Sequence, residues 1–159
     1  MFENYSILMT IYKGDDPKNA QISIDSMLNQ TIRANDFVLV CDGDLTAELN
    51  LLINKYEQTY PDLFNVIRLK QNVGLGAALR IGVNHCKNEF IARMDDDDIA
   101  MKDRCEIELQ FMKDHPNIDL LGSNVSEFDD DPEKPLRIKK MPIGYDNIKK
   151  FAKRRNPFN

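Results

Sequence analysis

The sequence has no apolar run approaching the ~20 residues that a membrane-crossing helix needs, so nothing in it predicts a span. Its first residues, Met1 to Tyr5, carry neither a basic stretch nor an apolar segment, which argues against a secretory signal. Cysteine is scarce: Cys41, Cys86 and Cys105 are an odd number with no C-x-x-C spacing. That excludes a disulfide scaffold or a zinc ribbon and fits a reducing, cytoplasmic compartment. On this reading the sequons at Asn29 and Asn124 are chance matches. Histidine is scarcer still. His85 and His115 stand alone on or beside helical segments and read as structural. No serine or cysteine sits in a nucleophile elbow with a base at hand, and no internal repeat or low-complexity tract is present.

What remains is an ordinary globular composition. The chain has 159 residues, 42% hydrophobic and 30% charged, enough for one domain with a real core. The net charge of −5 is unevenly spread. Residues 1–133 hold 25 acidic against 12 basic residues, and residues 134–159 hold 9 basic against 1 acidic. So acidic a body is a poor nucleic-acid binder, which predicts no nucleic-acid partner. The basic end either forms a solvated helix face or touches phosphate or an anionic membrane surface.

Short apolar runs alternate with helical patterns. Strands are expected at Ser6–Tyr12, Phe37–Cys41, Val66–Leu69 and Phe90–Met94, with a fifth starting at Leu120-Leu121-Gly122. Asp15, Asp16 and Pro17 form a helix-start signal, and Ala20, Ile24, Met27 and Leu28 give that helix one apolar face. Thr46 caps a second helix carrying Leu49, Leu52, Ile53 and Tyr56. Further helices are expected at 75–86, 101–114 and from Tyr145 to Arg155, the last basic and amphipathic. Strand–helix–strand at this spacing predicts an α/β, Rossmann-like fold: a mostly parallel sheet with helices on both faces. Ligands of such sheets bind beyond the carboxyl ends of the strands. That places the site at Thr10, Tyr12 and Lys13, at Asp42 and Asp44, at Asn72 and Gly74, and at Asp95 to Asp98.

The run Asp95-Asp96-Asp97-Asp98 is the most informative stretch. Two unit charges ~4 Å apart repel by ~4 kcal/mol at an effective dielectric of 20. Full solvation or a bound cation relieves this, and solvation is awkward at the end of an apolar strand. Extended backbone sends alternate carboxylates to opposite sides, so one pair can offer oxygens to Mg²⁺ or Mn²⁺. Such an ion takes its other ligands from water and substrate phosphates. An EF-hand loop from Asp95 fails at Ile99 and at Ala100, where the turn glycine belongs. An aspartyl-nucleophile phosphatase fits Asp95 and Asp97 better, but its motif normally follows the first strand and no partner lysine stands out. Asn72-Val73-Gly74-Leu75-Gly76 is no dinucleotide fingerprint, since Leu79 holds the third small-residue place and the turn follows the third strand. Asp129-Asp130-Asp131 reads as an exposed loop.

Four segments in order resemble the family 2 glycosyltransferases of GT-A type. Ser6-Ile7-Leu8-Met9-Thr10-Ile11-Tyr12-Lys13-Gly14 is similar to the family's opening strand and Pro-x-Tyr-Asn turn, with Thr10 and Lys13 in the proline and asparagine places. Ser26-Met27-Leu28-Asn29-Gln30-Thr31 and Val40-Cys41-Asp42-Gly43-Asp44 resemble the Ser-x-Leu-x-Gln-Thr helix end and the Asp-Asp-Gly-Ser turn, with Cys41 replacing the first aspartate. Asn72-Val73-Gly74 through Gly82 resembles the Asn-x-Gly…Ala-x-Asn-x-Gly helix. Met94-Asp95-Asp96-Asp97-Asp98-Ile99 with Asp103-Arg104 resembles the Asp-x-Asp motif and its helix. The match covers residues 5–125 and is most similar to members that build capsular or exopolysaccharides.

The resemblance implies a single glycosyltransferase domain over 1–159 that moves a sugar from a nucleotide diphosphate donor, expected to be a UDP-sugar, to a saccharide or lipid-linked acceptor. Thr10 and Tyr12 would flank the base, and Asp42 would accept from the uracil imide N–H. Asn72, Gly74 and Arg80 would lie near the nucleotide. Asp95 would contact ribose or sugar phosphate, Asp97 with Asp95 would hold Mg²⁺ or Mn²⁺, and Asp96 and Asp98 would serve the donor or orient its sugar. Acceptor attack from the opposite face would invert the anomeric carbon. The family's general base and acceptor region lie later in the chain, so they are expected beyond Asn159. The 159 residues then read as a truncated donor-binding portion with little transfer of its own. The implied setting is the cytoplasm, with the basic segment at the inner face of the membrane. A phosphatase and a non-catalytic nucleotide-binding module remain the alternatives.

Overall fold

The computed structural model describes residues 4–129 and 131–158. Residues 1–3, Asp130 of the acidic loop and Asn159 lie outside the described residues. The chain forms two compact units, residues 1–111 and 112–159. The division falls inside a helix, between Phe111 and Met112, rather than at the start of the basic segment.

The first unit holds a four-stranded, all-parallel sheet in the order β3-β2-β1-β4. Its strands are β1 (Tyr5–Ile11), β2 (Asp36–Cys41), β3 (Phe64–Arg68) and β4 (Phe90–Met94). The helices are α1 (Pro17–Leu28), α2 (Ala47–Thr59), α3 (Leu75–Val83) and α4 (Arg104–Asp114). The expected start signals operate. Asp16 caps α1 by accepting from Lys18 N and Asn19 N, and Thr46 caps α2 by accepting from Leu49 N. α3 and α4 are each three residues shorter than the apolar phase suggested.

Both faces of the sheet are covered, as parallel strands require. On one face Ile7, Met9, Phe37 and Leu39 pack with Ile24 and Met27 of α1, Leu49 and Ile53 of α2, and Cys105 and Leu109 of α4. On the other, Leu8, Val38 and Val40 pack against Ala78 of α3. α3 reaches the sheet closely because Gly82 has no side chain: a Cβ there would run into Leu8 Cδ1.

The second unit departs from expectation. Leu120-Leu121-Gly122 is not a strand, and Leu120 is exposed. Two apolar residues are too short a run to claim a place in a buried sheet. The strand comes later as β5 (Val125–Glu127), which pairs antiparallel with an unforeseen β6 (Arg137–Lys139) in a separate two-stranded sheet. The connection runs through the acidic loop and is too short for a parallel crossover but long enough for a hairpin. The basic helix is present as α5 (Tyr145–Ala152).

Candidate functional site

Strand register sets the site. Met9 pairs with Leu39 of β2 on one side and with Met94 of β4 on the other. The residues after those positions, Thr10 to Tyr12, Val40 to Asp42, and Asp95 with Asp96, therefore emerge level with one another. Thr10 to Tyr12, Asp42, Asp95 and Asp96 line a cavity of about 340 Å³ at the carboxyl ends of the strands, together with Asp15, Asn72, Gly74 and Leu75. Seven expected residues meet there: Thr10, Tyr12, Asp42, Asn72, Gly74, Asp95 and Asp96. Arg80 is an exposed residue of α3, Asp97 is exposed, and Asp98 is half-buried; these three do not line the cavity. Lys13 is exposed as well.

Asp42 is 5% exposed and fixes one wall. Its Oδ1 accepts from Val73 N at 2.7 Å and its Oδ2 from Gly74 N at 3.0 Å, while Asn72 Nδ2 donates to its carbonyl at 3.3 Å. The carboxylate therefore takes the loop N–H groups that open α3, whose N-cap Gly74 supplies no side-chain acceptor. Each oxygen keeps a further lone pair for a donor from a ligand. Gly43 lets the two loops meet, since it adopts φ +88° and a Cβ on it would lie 2.6 Å from Asn72 N. Cys41, in the place of a family aspartate, is no second anion: burial pushes its thiol up to about 11.

The acidic turn is held from beneath by the end of α1. Ser23 Oγ donates to Asp95 O at 2.6 Å, and Ala100 N donates to Ser26 Oγ at 3.0 Å. Buried Gln30 donates from Nε2 to Met101 O at 2.8 Å and accepts at Oε1 from Cys105 N at 2.9 Å. Thr31 N donates to Lys102 O at 2.9 Å. The Ser-x-Leu-x-Gln-Thr pattern is thus a set of hooks for residues 100–105, and Ser23 before it holds Asp95. From the other side Arg93 pairs with Asp95, and Arg104 donates to Arg93 O at 3.2 Å while anchored on Glu108.

Burial and crowding hold three carboxyls here, those of Asp15, Asp96 and Asp98, above the usual range. Asp96 is pushed up to about 7, first by burial and then by the charge of Asp15. Asp15 is also raised, chiefly by burial. Asp98 is raised by burial and by Asp95 and Asp97, against the pull of Arg93 and Arg104. Asp15 and Asp96 stand close enough at the cavity wall for the charge of Asp15 to act on Asp96. Sequence reasoning took Asp15 only as part of a helix start. Its position directly after the first strand was the available signal, and its Oδ2 also accepts from Tyr12 N at 2.7 Å.

The oxygen donors of the acidic turn are of the kind a hard divalent cation takes, with Asp97 exposed and Asp95 paired with Arg93. Among the described residues no three His, Cys, Asp or Glu side chains are grouped to hold a metal unaided. The remaining ligands would have to come from water and a bound phosphate group.

A parallel α/β sheet with helices on both faces and an acid-lined cavity at its strand ends is the architecture of GT-A glycosyltransferases. Mannosyltransferase PcManGT from Pyrobaculum calidifontis, solved with GDP-Man and Mn²⁺, shares the fold at TM-score 0.64 and 16% identity, over 78% of this chain and 36% of that one. Residues 1–349 of TarS from S. aureus, solved with UDP-GlcNAc, match at TM-score 0.61 and 21% identity, over 72% of this chain and 32% of that one. The sequence matches the model of Glycosyl transferase family 2 over residues 6–159, and the chain belongs to that family. Relatives include the amylovoran biosynthesis glycosyltransferase AmsE of Erwinia amylovora, 34% identical over 98% of this chain and 57% of its own length. Another is the UDP-Gal:alpha-D-GlcNAc-diphosphoundecaprenol beta-1,3-galactosyltransferase of Escherichia coli, 36% identical over 98% of this chain and 55% of its own. The chain spans just over half the length of these relatives.

Proposed function

We propose that the chain is the donor-binding part of a glycosyltransferase that takes a sugar from a UDP-sugar and passes it, with inversion, to a saccharide or lipid-linked acceptor in surface-polysaccharide synthesis. The observation that carries this reading is the convergence of Thr10, Tyr12, Asp42, Asn72, Gly74, Asp95 and Asp96 on one cavity at the strand ends. The family assignment and the UDP-sugar named for the galactosyltransferase relative support it.

In this reading Thr10 and Tyr12 flank the nucleobase, and Asp42 accepts from its imide N–H with a carboxylate already oriented by the loop at Val73 and Gly74. Asn72 and Gly74 form the wall along the nucleotide, with Arg80 on α3 behind them. Asp95 and Asp97 would hold Mg²⁺ or Mn²⁺, and Asp96 and Asp98 would orient the donor. The bound ion would supply Lewis-acid stabilisation of the charge that grows on the departing diphosphate. Arg93 pairs with the Asp95 side chain, Arg104 holds the Arg93 carbonyl and Ser23 the Asp95 carbonyl, which keeps Asp95 in place for that task. The general base belongs to the acceptor side and is assigned to none of these residues, so the 159 residues alone are expected to bind donor with little transfer. The setting proposed is the cytoplasmic face of a membrane. Among the described residues no helix is long and apolar enough to cross one, and the basic segment supports a peripheral contact.

Titration with UDP, with and without Mn²⁺, tests this. The expected result is binding that needs the metal and is lost in Asp97→Ala. Metal-independent binding would refute the role given to the acidic turn, and turnover of a phosphomonoester abolished by Asp95→Ala would establish the phosphatase instead.

A further inference from the structure

The second unit, residues 112–159, carries a site of opposite chemistry. Lys150, Arg154 and Arg155 surround a cavity of about 510 Å³ with Asn147, over a floor that includes Phe151 and Pro142. Among the described residues Lys134 pairs with Asp131 and Arg137 with Glu127, and neither of these ion pairs takes up Lys150, Arg154 or Arg155. Glu127, which senses Arg155, is engaged by Arg137. Three like charges around one concavity repel one another and focus a positive field into it. Guanidinium groups there suit phosphate oxygens, which they can grip in pairs. The volume exceeds what a single phosphate fills and falls in the range of sites for larger ligands. The same unit exposes large apolar side chains: Ile143 at 84%, Tyr145 at 76% and Leu136 at 73%.

We propose that this basic cavity binds the diphosphate of an isoprenoid-linked saccharide, the apolar side chains meeting the lipid. The assignment of that lipid as acceptor rests on the transferase reading above; the binding itself does not.

The test is co-sedimentation of the full chain with three kinds of vesicle: phosphatidylcholine alone, phosphatidylcholine doped with a polyprenyl diphosphate, and phosphatidylcholine doped with phosphatidylglycerol to the same surface charge. The expected result is preferential retention on the diphosphate vesicles. Replacing Lys150, Arg154 and Arg155 together by alanine should weaken that retention roughly a hundredfold, given the worth of each basic residue at an anionic surface, with UDP·Mn²⁺ binding unchanged. Excess inorganic pyrophosphate should release the unaltered chain, which tests the site without any variant. Equal retention on phosphatidylglycerol overturns the diphosphate assignment and leaves a general anionic contact. Undiminished retention of the triple variant, or no release by pyrophosphate, overturns the site. Pyrophosphate as effective as the lipid mole for mole makes the free anion the ligand and overturns the lipid. If the unaltered chain binds diphosphate vesicles but never UDP·Mn²⁺, the transferase reading fails and the anion site stands.

Discussion

The two ends of the parallel sheet treat carboxylates in opposite ways. At the amino end Asp36 is fully buried and compensated mainly through one oxygen, since among the described residues its Oδ1 makes no hydrogen bond and faces only the Lys87 ammonium. Its Oδ2 accepts from Ser6 Oγ at 2.7 Å and from Lys87 N at 2.9 Å, and Lys87 Nζ lies 3.5 Å from Oδ1. Asn88 continues the network to Ser6 and Asn35. At the carboxyl end Asp15 and Asp95 to Asp98 crowd together with Arg93 and Arg104 as the nearby cations. A carboxylate that must hold the fold is given its partners by the protein. Carboxylates left crowded and short of cation destabilise the resting chain and are available to something that arrives later.

The largest effect should come from breaking the compensated end. Asp36→Ala leaves the buried Ser6 hydroxyl without its acceptor and the Lys87 N–H and ammonium without their partner, and a cost of about 3 kcal/mol in urea unfolding is expected. Asp97→Ala should leave the unfolding midpoint where it was or raise it. If both substitutions destabilise alike, the contrast between the two ends is false. Gly43→Ala comes next. A side chain at φ +88° that meets Asn72 N at 2.6 Å costs about 2 kcal/mol. Because it pushes apart the loops that Asp42 ties together, UDP affinity should fall with it; intact affinity would mean the wall at Asn72 to Gly74 is not part of the nucleotide site. Asp97→Ala itself should weaken metal-dependent UDP binding by about tenfold or more, ~1.4 kcal/mol, measured by calorimetry with and without Mn²⁺.

The same contrast explains what the sequence disclosed. Apolar runs of five to seven residues announce β1, β2 and β4, the last two ending at aspartate, and the rule that ligands sit at strand ends then names Asp42, Asn72, Asp95 and Asp96 from the sequence. Partnerships were not legible. Nothing local in Asp42 says that its oxygens cap the Val73–Gly74 turn 31 and 32 residues away. Nothing in Asp36 reveals its link to Ser6 or to Lys87, because such links depend on register and crossover rather than on neighbouring residues. Ser26 and Gln30 stand out in the sequence as a motif, but their task lies in the hydrogen bonds to residues 100–105, which sequence distance hides. Asp15 was overlooked for a different reason: Asp15-Asp16-Pro17 contains two capping residues, and only Asp16 is the cap. The second unit was the least legible. Its short antiparallel pair has exposed and half-buried residues with no long apolar run to mark them.

The smallest expected effect concerns pH in the metal-free chain. Asp96 is raised from an ordinary 3.8 to about 7 by burial and by Asp15. A folded carboxyl that holds its proton more tightly than the unfolded one stabilises the fold below the unfolded value, and that contribution disappears as pH rises through the folded value. Stability should therefore decline from about pH 4 to about pH 7, opposite to the slope expected of a salt-bridged carboxylate. Partial exposure at the cavity wall screens the effect and keeps it small. Asp96→Asn removes the titration, so its stability profile should be flatter over this window, and near neutrality the variant should unfold at slightly higher urea than the unaltered chain. A profile unchanged by Asp96→Asn would show that the acidic end is relaxed in the resting chain, and the contrast with Asp36 would then reduce to a difference in hydrogen bonding alone.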